Sequence, residues 1–119
     1  MKIGICSSNN TPESLVADRF ARAEQFCVYD SETLKFSFFE NIAKDEGSGA
    51  GGKAVKLFAD LNVDIVLVPE LGPKAMDALQ AFDIKSYKYK QGITVREALN
   101  SYFEKALPEL LDASVKGKH

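Results

Sequence analysis

The chain has no tryptophan, two cysteines, two methionines, four prolines and one histidine, His119, at its last position. With the only imidazole there, Ser-His-Asp triads, histidine acid-base pairs and histidine-ligated metal centres are excluded. Two cysteines cannot build a disulfide scaffold, and in a reducing compartment they serve as free thiols or metal ligands. No stretch approaches the roughly 18 apolar residues of a membrane span, and the apolar run at Met1–Cys6 is too short for a secretory leader. A cytoplasmic protein is expected. A basic excess is also missing: 15 Lys and Arg against 17 Asp and Glu give a formal charge of -2. Neither nucleic acid nor a membrane surface is favoured as a partner. A length of 119 residues suits one domain with one site, here placed at residues 1–113, with 114–119 as a frayed polar tail.

Glycine is what the chain concentrates. Gly47, Gly49, Gly51 and Gly52 place half of its eight glycines within six positions, where backbone N–H groups can approach a ligand closely. Lys53 follows, and Ala54, Val55, Leu57, Phe58 and Leu61 then recur at helical spacing up to Asn62, so the loop leads to the positive end of a helix. The run Val63–Val68 is nearly continuous and rich in β-branched residues, as in a strand buried on both faces. Pro69 to Pro73 turns the chain into a second helix with Ala75, Met76, Leu79 and Phe82 inward. Two helix starts thus flank the carboxyl end of one buried strand, where open α/β sheets bind ligands.

Around this centre, Ile3 and Ile5 mark a first strand, followed by the polar loop Cys6 to Asn10. Thr11–Gln25 reads as irregular with a helical turn or two. Phe26–Asp30 and Leu34–Glu40 form a hairpin with Phe36 and Phe38 inward. Ile84–Tyr89 suits a half-exposed strand near the sheet edge, with Lys85, Lys88 and Lys90 discouraging edge pairing. Thr94 to Glu97 is a capping box, opening a last helix with Val95, Ala98, Leu99, Tyr102 and Phe103 on its apolar face. Pro108 interrupts it, and Leu110 and Leu111 extend the packing. The order β, loop, β, β, α, β, α, β, α gives an α/β fold, a mixed sheet with helices packed on it.

Several groups bear on chemistry. Gly47 to Ala54 is one residue short of a Walker A loop, because Ala54 stands where a hydroxyl would hold Mg²⁺. The preceding segment is a hairpin arm and not a buried parallel strand, which leaves a non-nucleotide anion as the better ligand, or a flexible loop that binds none. The first strand offers Gly4 and Cys6 and no carboxylate, so two-metal phosphodiester chemistry lacks its ligands. Cys6 ends the first strand and Cys27 begins the second; each is a candidate metal ligand or a small buried residue. Arg19 and Arg22, around Phe20, either present two guanidinium groups to an anion or form a solvated pair balanced by Asp18 and Glu24.

The stretches Met1–Ile5, Asp18–Phe26, Gly49–Gly52, Val63–Ala75, Ile84–Tyr87 and Gly92–Leu99 together resemble the dinitrogenase iron-molybdenum cofactor biosynthesis family over nearly the whole chain. The resemblance implies a ribonuclease H-like fold with a mixed five-stranded sheet, its second strand antiparallel to the others. It also implies a non-enzymatic protein that carries iron-molybdenum cofactor or its iron-sulfur precursors and works with cofactor-assembly proteins. The family's His-Phe-Gly-Arg-Ala pattern falls on Arg19 to Ala23, so Arg19 replaces a candidate ligating histidine and Ala21 a glycine. The expected ligand-binding residues are Ser7, Ser8, Arg19, Phe20, Arg22, Gly49, Gly51, Gly52, Lys53, Glu70 and Gly72, with Cys6 and then Cys27 as soft metal ligands and no catalytic residue. The ligand is a small anion or metal cluster. The alternatives are a small phosphate-ester or nucleotide-processing enzyme using the glycine loop and Glu70, and a regulatory domain with a vestigial pocket.

Overall fold

The computed structural model describes residues 1–47 and 49–112; the expectations for Ser48 and for the tail 114–119 lie outside the described residues. Strands β1 (Lys2–Ser7), β2 (Gln25–Asp30), β3 (Lys35–Glu40), β4 (Ile65–Val68), β5 (Lys85–Lys88) and β6 (Glu109–Leu110) alternate with helices α1 (Ala50–Asp60), α2 (Pro73–Ala81) and α3 (Val95–Phe103). They form one sheet of order β3-β2-β1-β4-β5-β6. β1, β4 and β5 run parallel, β2 is antiparallel to both β1 and β3, and β6 is antiparallel to β5.

Side-chain alternation divides the core between the two faces of this sheet. Cys6, Phe26, Val28, Val66 and Val68 pack with Phe58 of α1 and Leu79 of α2. Ile3, Ile5, Cys27, Ile65 and Leu67 pack with Val95, Ala98 and Leu99 of α3, and Phe36 and Phe38 join them half-buried. β4 is buried at all four positions because it lies between both layers, as its run of apolar residues implied.

Five of the six strands are those the sequence announces. The sixth corrects the expected five-stranded sheet: β6 has two residues, too few to carry a period, and it covers β5. Lys88 N–H donates to Pro108 O at 2.9 Å, so Lys85, Lys88 and Lys90 guard no open edge. Pro108 does not interrupt α3, which has already ended at Phe103. Leu110 packs against the core, whereas Leu111 is exposed. Phe82 and Phe103, expected inward, are 50% and 48% exposed; each lies where its helix ends and the chain turns away. No helix forms within Thr11–Gln25; isolated hydrogen-bonded turns stand there, from Ser14 N–H to Thr11 O at 3.0 Å and from Ala23 N–H to Phe20 O at 3.5 Å, with single bridges from Val16 to Ser7 and from Leu15 to Thr94.

The glycine stretch also differs. α1 begins at Ala50, behind an N-cap Gly49 with φ +75°, so Gly51, Gly52 and Lys53 belong to its first turn and not to a free loop. A Cβ on Gly51 would lie 3.4 Å from Cβ of Ala75, and its absence lets α1 and α2 approach closely.

Candidate functional site

The N-termini of α1 and α2 open on a common cleft of about 790 Å³. Gly51 contributes from the first turn of α1, and Gly72, Pro73, Lys74 and Ala75 from the start of α2. Glu70, just past β4, and the segment Asp18–Arg22 complete the wall. Neither helix has a side-chain bond from its N-cap residue or an acidic residue in its first turn, so among the described residues both positive ends keep orphan N–H groups.

The Asp18–Arg22 wall is held from several sides. Phe20 is buried, its ring 6.2 Å from Phe58 and 6.3 Å from Phe26. Tyr89, buried in the opposite layer, donates its hydroxyl to Ala17 O. Buried Asn41 donates from Nδ2 to Ala21 O and Ala23 O, each at 2.9 Å, and accepts from Ala43 N–H at 3.0 Å. Arg22 donates to Lys44 O and, at 2.7 Å, to Glu46 O. The segment 41–46 is therefore a brace, and no local sequence pattern marks Asn41 as its anchor because its partners lie about twenty residues away.

Of the residues expected to bind ligand, Arg19, Phe20, Arg22, Gly51, Glu70 and Gly72 line this cleft. Glu70 pairs with Lys88 at 2.9 Å. Arg19 and Lys74 have no ion-pair or hydrogen-bond partner among the described residues. Lys74 was missed, although its place directly after Pro73 at a predicted helix start was a usable signal. Lys53 does not reach the cleft: it pairs with Glu46 at 3.0 Å and lines a separate groove with Ile42 and Leu57. Ser7 Oγ donates to Asn9 O at 2.6 Å and Ser8 Oγ to Leu15 O at 2.8 Å, so both hydroxyls close their own loop. Gly49 serves as the N-cap, and a Cβ on Gly52 would meet nothing within 4 Å.

The two cysteines, expected as soft metal ligands, stand apart from the cleft and from each other. Both are buried and free, and they face opposite layers of the sheet, so one ion cannot bind both. Burial pushes the Cys27 thiol up to about 12 and the Cys6 thiol further in the same direction, which disfavours the thiolate a metal needs. Among the described residues no three His, Cys, Asp or Glu side chains gather in a metal-binding cluster.

Residues 1–105 match the model of the dinitrogenase iron-molybdenum cofactor family, and the chain belongs to that family. Among solved structures it is similar to the apo form of the orange protein from Desulfovibrio gigas, with 30% identity and a TM-score of 0.92 over 96% of each chain. It is also similar to a candidate NifB protein from Thermotoga, with 32% identity and a TM-score of 0.85 over 98% of each chain. An uncharacterized protein of Methanocaldococcus jannaschii is 29% identical over 91 residues, 74% of each chain. No helix among the described residues is long and apolar enough to cross a membrane.

Proposed function

We propose that this chain is a non-enzymatic, cytoplasmic carrier of a small anionic metal-sulfur cluster, of the iron-molybdenum cofactor or precursor type, exchanged with cofactor-assembly proteins. The order of the first five strands and the antiparallel β2 support a ribonuclease H-like assignment of the fold. The observation that carries the reading is the cleft itself. Two helix N-termini without side-chain caps, and Arg19 and Lys74, which have no partner among the described residues, surround walls made by Phe20, Ala21, Pro73 and Ala75. Such a site attracts negative charge and offers apolar contact to a polarisable body. Among the described residues its lining supplies no thiolate or imidazole, and of its two carboxylates Glu70 is paired with Lys88, so in this reading the cluster arrives with its metals already ligated and is held by charge and contact. Arginine stays protonated and donates only N–H groups, which suits Arg19 to sulfide or oxide and not to iron. Lys53, turned toward Glu46, is not placed as the phosphate-binding lysine of a nucleotide loop.

Anaerobic titration with tetrathiomolybdate, a fully ligated dianion, tests this. Its absorption bands should shift on saturable binding, Cys6→Ala and Cys27→Ala should bind as wild type does, and Arg19→Gln should lose at least about tenfold in affinity. Loss of binding in either cysteine variant would restore direct ligation. No saturable binding by wild type would support a vestigial pocket.

A further inference from the structure

The wall that carries Arg19 and Phe20 has little structure of its own. Between the bridge at Val16 and the start of β2, among the described residues, the one hydrogen bond closed within it runs from Ala23 N–H to Phe20 O, and at 3.5 Å it is long. Its fastenings come from the segment 41–46. Lys44 pairs with Glu24 at 2.6 Å, and Arg22 reaches back to the carbonyls of Lys44 and Glu46. Both links lie at the surface, where water leaves them weak. Asn41 is different, being 1% exposed. Its amide spends both N–H donors on Ala21 O and Ala23 O and its oxygen on Ala43 N–H, while its backbone N–H donates to Glu24 O at 3.2 Å.

We infer that Asn41, which does not itself line the cleft, is the positioning residue of the anion site and holds the wall in the conformation that presents Arg19. Asparagine alone, at its length, offers two donors and an acceptor from one planar group. Ionised aspartate has the shape but no donor, and glutamine carries the same groups one methylene further out. Truncation leaves Ala23 O and Ala43 N–H buried without partners, and they regain them only if the wall shifts toward water. The freed wall then samples several conformations, of which a fraction presents Arg19 and Phe20, and apparent affinity falls by that fraction. The loss falls on association, because an anion that does bind meets the same groups as in wild type. No charge is removed, so the salt dependence stays, unlike that of Arg19→Gln.

Asn41 has this role only if the cleft is the anion site, so the wall is read both with and without ligand. Stopped-flow mixing of the full chain with tetrathiomolybdate at two salt concentrations gives the first reading. Asn41→Ala leaves a gap and Asn41→Leu fills it with apolar atoms. Both should bind at least about tenfold more slowly than wild type, release the anion at the wild-type rate and keep its salt dependence. Leu99→Ala opens a cavity in the opposite layer and lowers stability without touching the wall, so it should associate as wild type does. Hydrogen exchange of the free protein gives the second reading. The side-chain amide protons of Asn41 should exchange slowly in wild type, and both Asn41 variants should exchange faster over 17–24 and 41–46 and unchanged in α3. Wild-type association in both Asn41 variants, faster release in place of slower association, or equal slowing in Leu99→Ala would overturn the positioning role. A wild type that binds no tetrathiomolybdate refutes the cargo proposed above, and exchange then decides alone: fast exchange of the Asn41 amide in wild type, or an unchanged wall in the variants, overturns it.

Discussion

A methyl group added at Gly4 would lie 2.6 Å from Cε1 of Phe58 and 2.7 Å from Cδ1, because Phe58 packs flat on β1 where other strand residues carry side chains. Phe58 in turn stacks on Phe20, so this one absent Cβ helps to fix the wall of the cleft. The thiols belong to the same buried layers and make the fold sensitive to alkali. In the unfolded chain they ionise near their ordinary value of 9.0, whereas burial holds the folded thiols protonated well above it. Above that pH the unfolded chain binds fewer protons than the native one, so unfolding free energy falls as pH rises. Each thiol removes up to about 1.4 kcal/mol per pH unit once its unfolded form is ionised. Tyr89, raised in the same way from 10.0, adds to the decline at higher pH. Urea midpoints measured from neutral to alkaline pH should show this fall. Replacing both cysteines by alanine should flatten it just above the thiol value and leave the later, tyrosine-driven part. An unchanged profile in the double variant would show that the thiols are not the cause.

The three helices end alike, and none ends on glycine. Asn62, Asp83 and Lys105 occupy the left-handed region with φ of 59°, 58° and 59°. In each, the residue at that position and the next donate to carbonyls in the last turn, as Val63 N–H does to Phe58 O, Ile84 N–H to Leu79 O and Ala106 N–H to Ser101 O. This is the Schellman closure, usually made by glycine. Lysine gains nothing there from local side-chain hydrogen bonding, so Lys105→Gly should stabilise by about 0.5 to 1 kcal/mol, after the added freedom of the unfolded chain is subtracted. Asn62→Gly should gain less, since asparagine tolerates this conformation. Chemical denaturation of both variants checks the order; a destabilising Lys105→Gly would refute it. At this scale the sequence was most readable where a period ran long: β4, the apolar face of α1, and the Thr94–Glu97 capping box, whose two reciprocal bonds are present. It was least readable where a long-range contact decides. β6 exists because β5 offers an edge, Lys53 turns toward Glu46 because helix starts at Ala50, and Asn41 matters through carbonyls remote in sequence. Arg19 stands out only through the family's motif and Gly72 through the turn before α2, whereas the contacts that set them on one cleft wall have no local signal.

Charge acts over the whole molecule, and here the local and global signs differ. The chain carries -2, yet Arg19, Arg22 and Lys74 face Asp18 and Glu70 in the cleft, with Lys88 offsetting Glu70. An approaching dianion is therefore repelled by the body of the protein and attracted by the site. Screening separates the two, because the Debye length shrinks from about 30 Å at about 0.01 M salt to about 8 Å at about 0.15 M. With a radius of gyration of 12.8 Å, charges across the molecule are felt at the lower salt and largely screened at the higher one, while cations lining the cleft still act. Removing one positive charge changes the net charge equally wherever it is done, so position alone should set the outcome. Arg19→Gln and Lys74→Gln should weaken tetrathiomolybdate binding at both salt concentrations. Lys53→Gln, whose ammonium pairs with Glu46 outside the cleft, should weaken it at low salt and match wild type at physiological salt. Titrations of the three variants and wild type at both concentrations measure this. If Lys53→Gln and Arg19→Gln lose equal affinity at physiological salt, capture follows the overall charge and the cleft does not select the anion.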